Sequence, residues 1–270
     1  MKLRYIGLLL IASFPLYAGK ESNSINLLKN PVQIHKTHFN KNDTISVERF
    51  EQIFMMDAQT PGLSSMLKRH AFYLKQKAVP TLIKVMKTSN YPIQNRWHAT
   101  MLLARIMGSK SSPFIAKFIE HPHWMMRLAS LKALLGLKQT QYTAVYAKAL
   151  KDPSLIVRIQ ALDNISQLKI TKLASNVWGM MYDQSNYTGE QGSRKRTSII
   201  RTIIRTLGDI KYEKAKMPLA KLIQKPKYQD LMDDLDYSLE KITGKTSPPH
   251  SVDQKRKFWA NLAFNKSQKI

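Results

Sequence analysis

The feature of this chain that most constrains its fold is a sequence repeat of about 31 residues. Three segments carry it most clearly: PIQNRWHATMLLARIMG from residue 92, PHWMMRLASLKALLGL from residue 122 and PSLIVRIQALDNISQL from residue 153. Each segment begins with a proline, reaches an arginine four or five residues later, and continues with small residues and leucines. A second apolar segment follows each of them. A period of this size predicts stacked helix pairs, because a single pair cannot bury its apolar face alone.

Helical periodicity extends from residue 46 almost to the C terminus. Prolines fall near several predicted helix starts, where the first turn tolerates them. We find no sustained alternation of apolar and polar residues between hairpin turns, so we expect no sheet. The predicted helices are 46–57, 62–76, 79–87, 92–107, 113–120, 122–137, 140–150, 154–167, 171–183, 194–207, 214–223 and 229–243.

The repeats resemble bacterial HEAT-like repeats, in which a D-P turn precedes an arginine, small residues and leucines. The closing segment LEKITGKTSPPHSVDQKRKFWANL, from residue 239, is similar to the end of many such proteins. The resemblance implies an all-α, right-handed α-solenoid of about five to six HEAT-like helix pairs. We place an N-terminal capping helix at 46–61, the solenoid at 62–245, and a proline turn with a basic capping helix at 246–270.

The first 18 residues, MKLRYIGLLLIASFPLYA, have the features of a signal peptide: a basic start, a short apolar run and the small residue Ala18. The apolar run is shorter than the roughly 20 residues that span a membrane. We therefore expect residues 1–18 to be removed and the protein to be exported, either to the periplasm or out of the cell. We expect no transmembrane segment in the mature chain, and a flexible arm at 19–45. The chain has no cysteine, which excludes disulfides and thiolate chemistry.

The formal net charge of +25 is of the kind that attracts an anionic partner; the alternative is a lysine-rich composition without a role in binding. Lysines recur in the same frame of successive second helices, in LIKVM, IAKFI, YAKAL and LAKLI, and Trp178 lies near a gap in this series. In HEAT-like arrays the second helices line the concave side, so the resemblance implies a basic ladder there. The alternative is the ordinary polar face of an amphipathic helix. The predicted ligand-binding residues of this ladder are Lys84, Lys117, Lys148, Trp178 and Lys221.

About 12 extra residues interrupt the repeat after Arg158, in a predicted loop at 184–198. Insertions between repeats lie in loops, and loops often carry function. The basic triplet Arg194, Lys195 and Arg196 therefore joins the predicted ligand-binding residues. The alternative is a tolerated, solvated insertion.

The recurring arginines Arg96, Arg127 and Arg158 are predicted to bond to a neighbouring repeat while their stems pack, rather than to contact a ligand. The acidic run DLMDDLDYSLE, from residue 230, is predicted to pair with the basic helix before it or with the basic C-terminal helix.

No glycine-rich phosphate loop, H-E-x-x-H motif or G-x-S-x-G elbow occurs in the chain. We therefore expect a protein that is not an enzyme, with no cofactor and no metal site. The predicted function is that of an exported scaffold whose basic surface binds an acidic protein, an anionic envelope polymer or lipid head groups; nucleic acid is disfavoured by the signal peptide. Two alternatives remain: a HEAT-like enzyme of the nucleic-acid glycosylase or lyase type, and a structural component of an envelope assembly.

Overall fold

A computed structural model describes residues 45–187, 197–249 and 251–264. Within these ranges every regular element is a helix, and the predicted all-α solenoid of helix pairs is confirmed. The protein is thus a helical-repeat protein. The helices are α1 (Val47–Phe54), α2 (Leu63–Leu74), α3 (Val79–Lys87), α4 (Ile93–Met107), α5 (Ser112–Ala116), α6 (Trp124–Gly136), α7 (Thr143–Ala149), α8 (Leu155–Gln167), α9 (Ala174–Gly179), α10 (Thr197–Asp209), α11 (Lys216–Ile223), α12 (Met232–Thr243) and α13 (Val252–Phe264).

The helix boundaries follow local chemistry. The hydroxyl of Ser46 accepts a hydrogen bond from the Arg49 amide and caps α1, and a proline occupies the first turn of α3 and of α5. The second helix α3 has its predicted bounds, whereas α5 and α9 are shorter than predicted because 3-10 turns replace part of the α-helix. Residues Lys117–Glu120 extend α5 in this way, and Thr171–Leu173 and Met180–Tyr182 flank α9.

The first helices of successive pairs, α4, α6, α8, α10 and α12, pack side by side in one layer. The small residues that the repeat places in three of them, Ala99, Ala129 and Ala161, are fully buried. The helices α10 and α12 approach each other closely at Gly208, where a Cβ would lie 2.7 Å from the Cα of Ser238. The small residues therefore set how closely neighbouring pairs stack.

Buried polar side chains form hydrogen bonds between neighbouring first helices of this layer. Asn164 of α8 donates from Nδ2 to the Leu131 carbonyl of α6 at 2.8 Å, and the hydroxyl of Ser238 on α12 donates to the Ile204 carbonyl of α10 at 2.7 Å. Both donors are fully buried. Each bond satisfies a buried polar group across an interface between repeats, and so it selects one stacking register.

Both ends of the described stack are closed by an additional helix. At the N-terminal end, Asn95 donates from Nδ2 to the carbonyls of Phe54, the last residue of α1, and of Met56, just after it. At the C-terminal end, the buried indole of Trp259 on α13 donates to Asp236 at 2.6 Å. These helices cover the apolar faces that a stack of repeats would otherwise leave open.

The alternation of helix direction places the connections on two rims. Turns that join the two helices of a pair form the pair rim, and turns that join one pair to the next form the junction rim. Neighbouring turns on the pair rim meet where Gln139 Nε2 donates to Ser109 Oγ at 3.1 Å. The pair rim comprises residues 75–78, 108–111, 137–142, 168–173, 210–215 and 244–249, and the described junction rim comprises 55–62, 88–92, 121–123, 150–154, 183–187 and 224–231.

Candidate functional site: a basic rim

The repeated arginines lie in the first turns of α4, α6 and α8, next to the junction rim. Arg127 donates to both carboxylate oxygens of Asp152, at 2.6 and 2.7 Å, and to the carbonyls of His121 and Pro122. Asp152 belongs to the next repeat, so this bidentate pair joins two turns. The hydrogen bond to Asp152 raises the pKa of Arg127. Arg158 donates to the Asp152 carbonyl at 2.7 Å.

Arg96 occupies the same position one repeat earlier. Its guanidinium donates to the Met86 carbonyl at 2.8 Å and to His121 Nε2 at 2.9 Å. His121 therefore accepts as a neutral imidazole. Burial and the nearby positive charge of Arg96 both lower the pKa of His121. The contribution of the repeated arginines to the stability of the array stays a prediction.

The predicted lysine ladder lies on second-helix segments, but two of its members already have carboxylate partners. Lys84 pairs with Glu51 at 2.6 Å, and Lys148 pairs with Glu120. Lys117 and Lys221 are exposed and form no ion pair with another described residue. The ladder is therefore partly neutralised, which weakens the field it can present to a polyanion.

Trp178 is half-buried and packs edge-to-face against Tyr182, with ring centroids 5.8 Å apart. Tyr182 is 70% exposed. The beginning of the predicted insertion is packed, since Asn186 is buried and donates to the Met180 carbonyl at 3.0 Å. The predicted basic triplet Arg194, Lys195 and Arg196 lies outside the described residues, as does the predicted signal peptide.

Within the described part of the chain, the strongest concentration of uncompensated charge lies on the pair rim, which the sequence analysis did not single out. Every turn of this rim carries at least one exposed lysine, and its only acidic residue is Glu213. These lysines form no ion pair with a described residue, apart from a 4.0 Å contact between Lys169 and Asp209. The rim lysines are Lys75, Lys77, Lys110, Lys138, Lys169, Lys172, Lys211, Lys214 and Lys245.

The described junction rim holds lysines and carboxylates in similar numbers. Its lysines are Lys151, Lys225 and Lys227, and its acidic residues are Asp57, Asp152, Asp183 and Asp230. The positive charge of the solenoid is therefore distributed unevenly between its two rims. The sequence contains a signal for this difference, because each short connection within a predicted pair contains a lysine.

Four rim lysines have an unusual backbone conformation. Lys75, Lys138, Lys169 and Lys211 have positive φ values of 51° to 53°, and glycines in two other turns of the rim also have a positive φ. An L-residue is strained at such an angle, whereas glycine is not. A lysine at the C-terminal end of a helix also interacts favourably with the partial negative charge of the helix dipole.

The acidic run pairs with the C-terminal helix, as one of the two predicted alternatives has it, and also with α10, which was not predicted. Asp234 contacts Arg201 and Arg205 of α10, and Asp236 bonds to Lys255 of α13 at 2.6 Å. These carboxylates hold α12 between its neighbours. Among the described residues, no cluster of three or more histidine or carboxylate side chains could hold a metal ion. No helix in the described part of the chain is long and apolar enough to cross a bilayer.

No protein-family model matches the chain, and no curated protein is similar to it in sequence. Among solved structures, the chain is similar to one from the complex of CpcE and CpcF of phycocyanin lyase from Nostoc sp. PCC7120. The two are 12% identical with a TM-score of 0.41, over 89% of this chain and 99% of that chain.

This likeness to part of a lyase complex contradicts the expectation that the protein is not an enzyme, and we withdraw that expectation. The expectation had rested on missing motifs, but a helical-repeat scaffold can build a site from residues scattered along the chain. At this identity the likeness assigns no activity or substrate to the chain.

Proposed function

We propose that this protein is an exported HEAT-like repeat protein that binds an anionic macromolecule of the cell envelope through its pair rim. The observation that carries the proposal is the difference in charge between the two rims. Lysines dominate the pair rim and are opposed there only by Glu213, whereas the described junction rim holds lysines and carboxylates in similar numbers. Unpaired positive charge on one edge attracts and orients a polyanion.

The surface near Trp178 on the second helices is the other candidate for the binding site. Two of its lysines are held by Glu51 and Glu120, so fewer of its charges are available to a ligand. Its Trp178–Tyr182 pair places two rings together, whereas the described turns of the pair rim hold only the half-buried Tyr142 and Tyr212. The binding experiment therefore compares the two surfaces directly.

The test measures the affinity of a fluorescein-labelled heparin fragment for the purified protein at increasing salt. A rim variant carries Lys110→Gln, Lys138→Gln and Lys172→Gln, and the matched control carries Lys117→Gln, Lys148→Gln and Lys221→Gln. All six lysines are exposed, and each variant loses the same formal charge. We expect the parent affinity to fall steeply with salt and the rim variant to bind at least about tenfold more weakly than the control.

Equal affinities for the rim variant and the parent would overturn the proposal. A loss confined to the control variant would instead move the site to the second helices. Far-UV circular dichroism of each variant verifies that the helices are intact.

A further inference from the structure

The pair rim combines its positive charge with exposed apolar side chains at two places. Phe72 and Tyr73 occupy the last turn of α2, directly before Lys75, and are 47% and 67% exposed. Met217, also exposed, follows the rim turn that contains Lys214. Side chains of this kind beside lysines are typical of proteins that lie at the interface between a membrane and water.

The kind of base on this rim also indicates its partner. The basic residues of the rim turns are all lysines, whereas the bidentate contact within the fold is made by Arg127. Arginine recognises fixed carboxylate, phosphate or base geometries, while lysine is a hydrated point charge on a flexible stem. A row of lysines therefore suits head groups that move relative to one another better than a partner of fixed geometry.

The position of the lysines on turns favours an extended surface as the partner. They lie on successive short turns along one edge of the stack, and the turns touch one another, as at Gln139 and Ser109. Successive packed helices are about 8–10 Å apart, so the lysines form a row tens of ångströms long. Single-stranded nucleic acid would additionally require well-exposed aromatic rings along the row, but Phe72 and Tyr73 lie at one end, and the rings of the rim turns, Tyr142 and Tyr212, are half-buried.

We infer that the pair rim docks this protein onto bilayers rich in anionic phospholipid, with its lysines at the head groups and with Phe72 and Tyr73 at the interface. This inference rests on the proposed function, because it names the anionic partner of the same surface. Each lysine near an anionic membrane strengthens binding by about fivefold, so several together are sufficient for reversible docking.

The experiment measures co-sedimentation with vesicles of phosphatidylcholine, with or without phosphatidylglycerol. The protein used in this experiment starts at residue 19, so that the apolar run of the first 18 residues cannot contribute to vesicle binding. Residues 44–270 form one compact unit, which this start leaves complete. We expect binding only to the vesicles that contain phosphatidylglycerol, and a loss of about a hundredfold in the rim variant Lys110→Gln, Lys138→Gln and Lys172→Gln.

A second variant, Phe72→Ser with Tyr73→Ser, tests the aromatic contact. We expect it to lose the part of vesicle binding that persists at high salt, while its affinity for heparin stays that of the parent. Tyr182→Ser is the matched control, because Tyr182 is equally exposed but lies away from the pair rim. Equal loss of vesicle binding in this control would overturn the role of Phe72 and Tyr73.

The outcomes separate this inference from the proposed function. Binding to heparin without binding to phosphatidylglycerol vesicles would overturn the lipid inference and leave an anionic polymer or protein as the partner. Binding to both kinds of vesicle alike would overturn the role of the anionic head groups. If the parent protein bound neither heparin nor the vesicles, the proposed function would be overturned as well.

Discussion

At the scale of the residue, arginine and lysine have separate places in this protein. Arg127 is half-buried, pairs with the buried Asp152 and bonds to two carbonyls besides, whereas the rim lysines are exposed. The planar guanidinium can satisfy several acceptors at once, and the ammonium group cannot hold such a bidentate geometry. The two kinds of base therefore divide between holding the turns together and charging the surface.

We expect Arg127→Ala to lower the free energy of unfolding by about 3 kcal/mol, because it leaves the carboxylate of Asp152 buried without its partner. Urea denaturation followed by circular dichroism measures this. Arg105→Ala is the control, since Arg105 is exposed on α4 and forms no ion pair with a described residue. Equal midpoints for both variants would contradict a role for Arg127 between repeats.

The lowered pKa values of two histidines predict how the free energy of unfolding depends on pH. Burial and the charge of Lys68 lower the pKa of His98, and burial and Arg96 lower the pKa of His121. The unfolded chain therefore takes up protons at a higher pH than the folded protein does. Stability is complete above about pH 6.5 and falls as the pH drops through the window between the unfolded and folded pKa values.

The check is the free energy of unfolding at about pH 7.5 and about pH 5.5. We expect a smaller difference between these two values in the variant His98→Gln with His121→Gln than in the parent protein. The glutamine carbonyl can still accept the bond from Arg96, so the fold is retained. An unchanged difference would show that other groups govern stability in this range.

At the scale of the element, the ends of the first helices store strain on the pair rim. Lys138 follows α6 with a φ of 53°, where glycine would be relaxed. We expect Lys138→Gly to raise the free energy of unfolding by up to about 1 kcal/mol, and Lys138→Val to lower it. Thermal unfolding of the three proteins measures both effects.

Lys132→Gly provides the control for this substitution, because Lys132 is exposed within α6. Glycine there should cost about 1 kcal/mol, since a helix interior disfavours it. A destabilised Lys138→Gly protein would contradict the assignment of strain to this turn. A rim that retains lysine despite that strain is consistent with a role for its charge in binding.

At the scale of the whole molecule, stability is transmitted from one repeat to the next. In stacked repeats each unit contacts only its neighbours, so damage at one end should remain local. Trp259 is 1% exposed and fastens α13 to Asp236, which also binds Lys255. This contact closes the C-terminal end of the described stack.

We therefore expect Trp259→Ala to reduce protection from hydrogen exchange in α11, α12 and α13, while α4 and α6 keep the protection of the parent. The loss of a buried tryptophan destabilises the local unit by about 3–5 kcal/mol. Lys257→Ala, on the exposed side of α13, should change little. Uniform loss of protection along the chain would mean that the protein unfolds as one unit.

Much of the fold could be predicted from sequence, but less of the site. The prolines and the repeated arginines placed most helices to within a few residues, because capping and apolar periodicity are local properties. The partners of Lys84 and Lys148 could not be predicted in this way. Glu51 and Glu120 lie about 30 residues away from them, and only the stacking of the pairs brings each carboxylate within reach.

The sequence by itself determined that this protein is a solenoid of helix pairs and that it is strongly basic. Apolar periodicity, proline positions and charge all act over short distances or over the whole composition. Tertiary structure alone decided where the charge lies, because that depends on which ends of the helices come together. Alternating helix direction gathers the turns after the first helices on one rim, and this arrangement converts lysines spaced along the chain into a single basic edge.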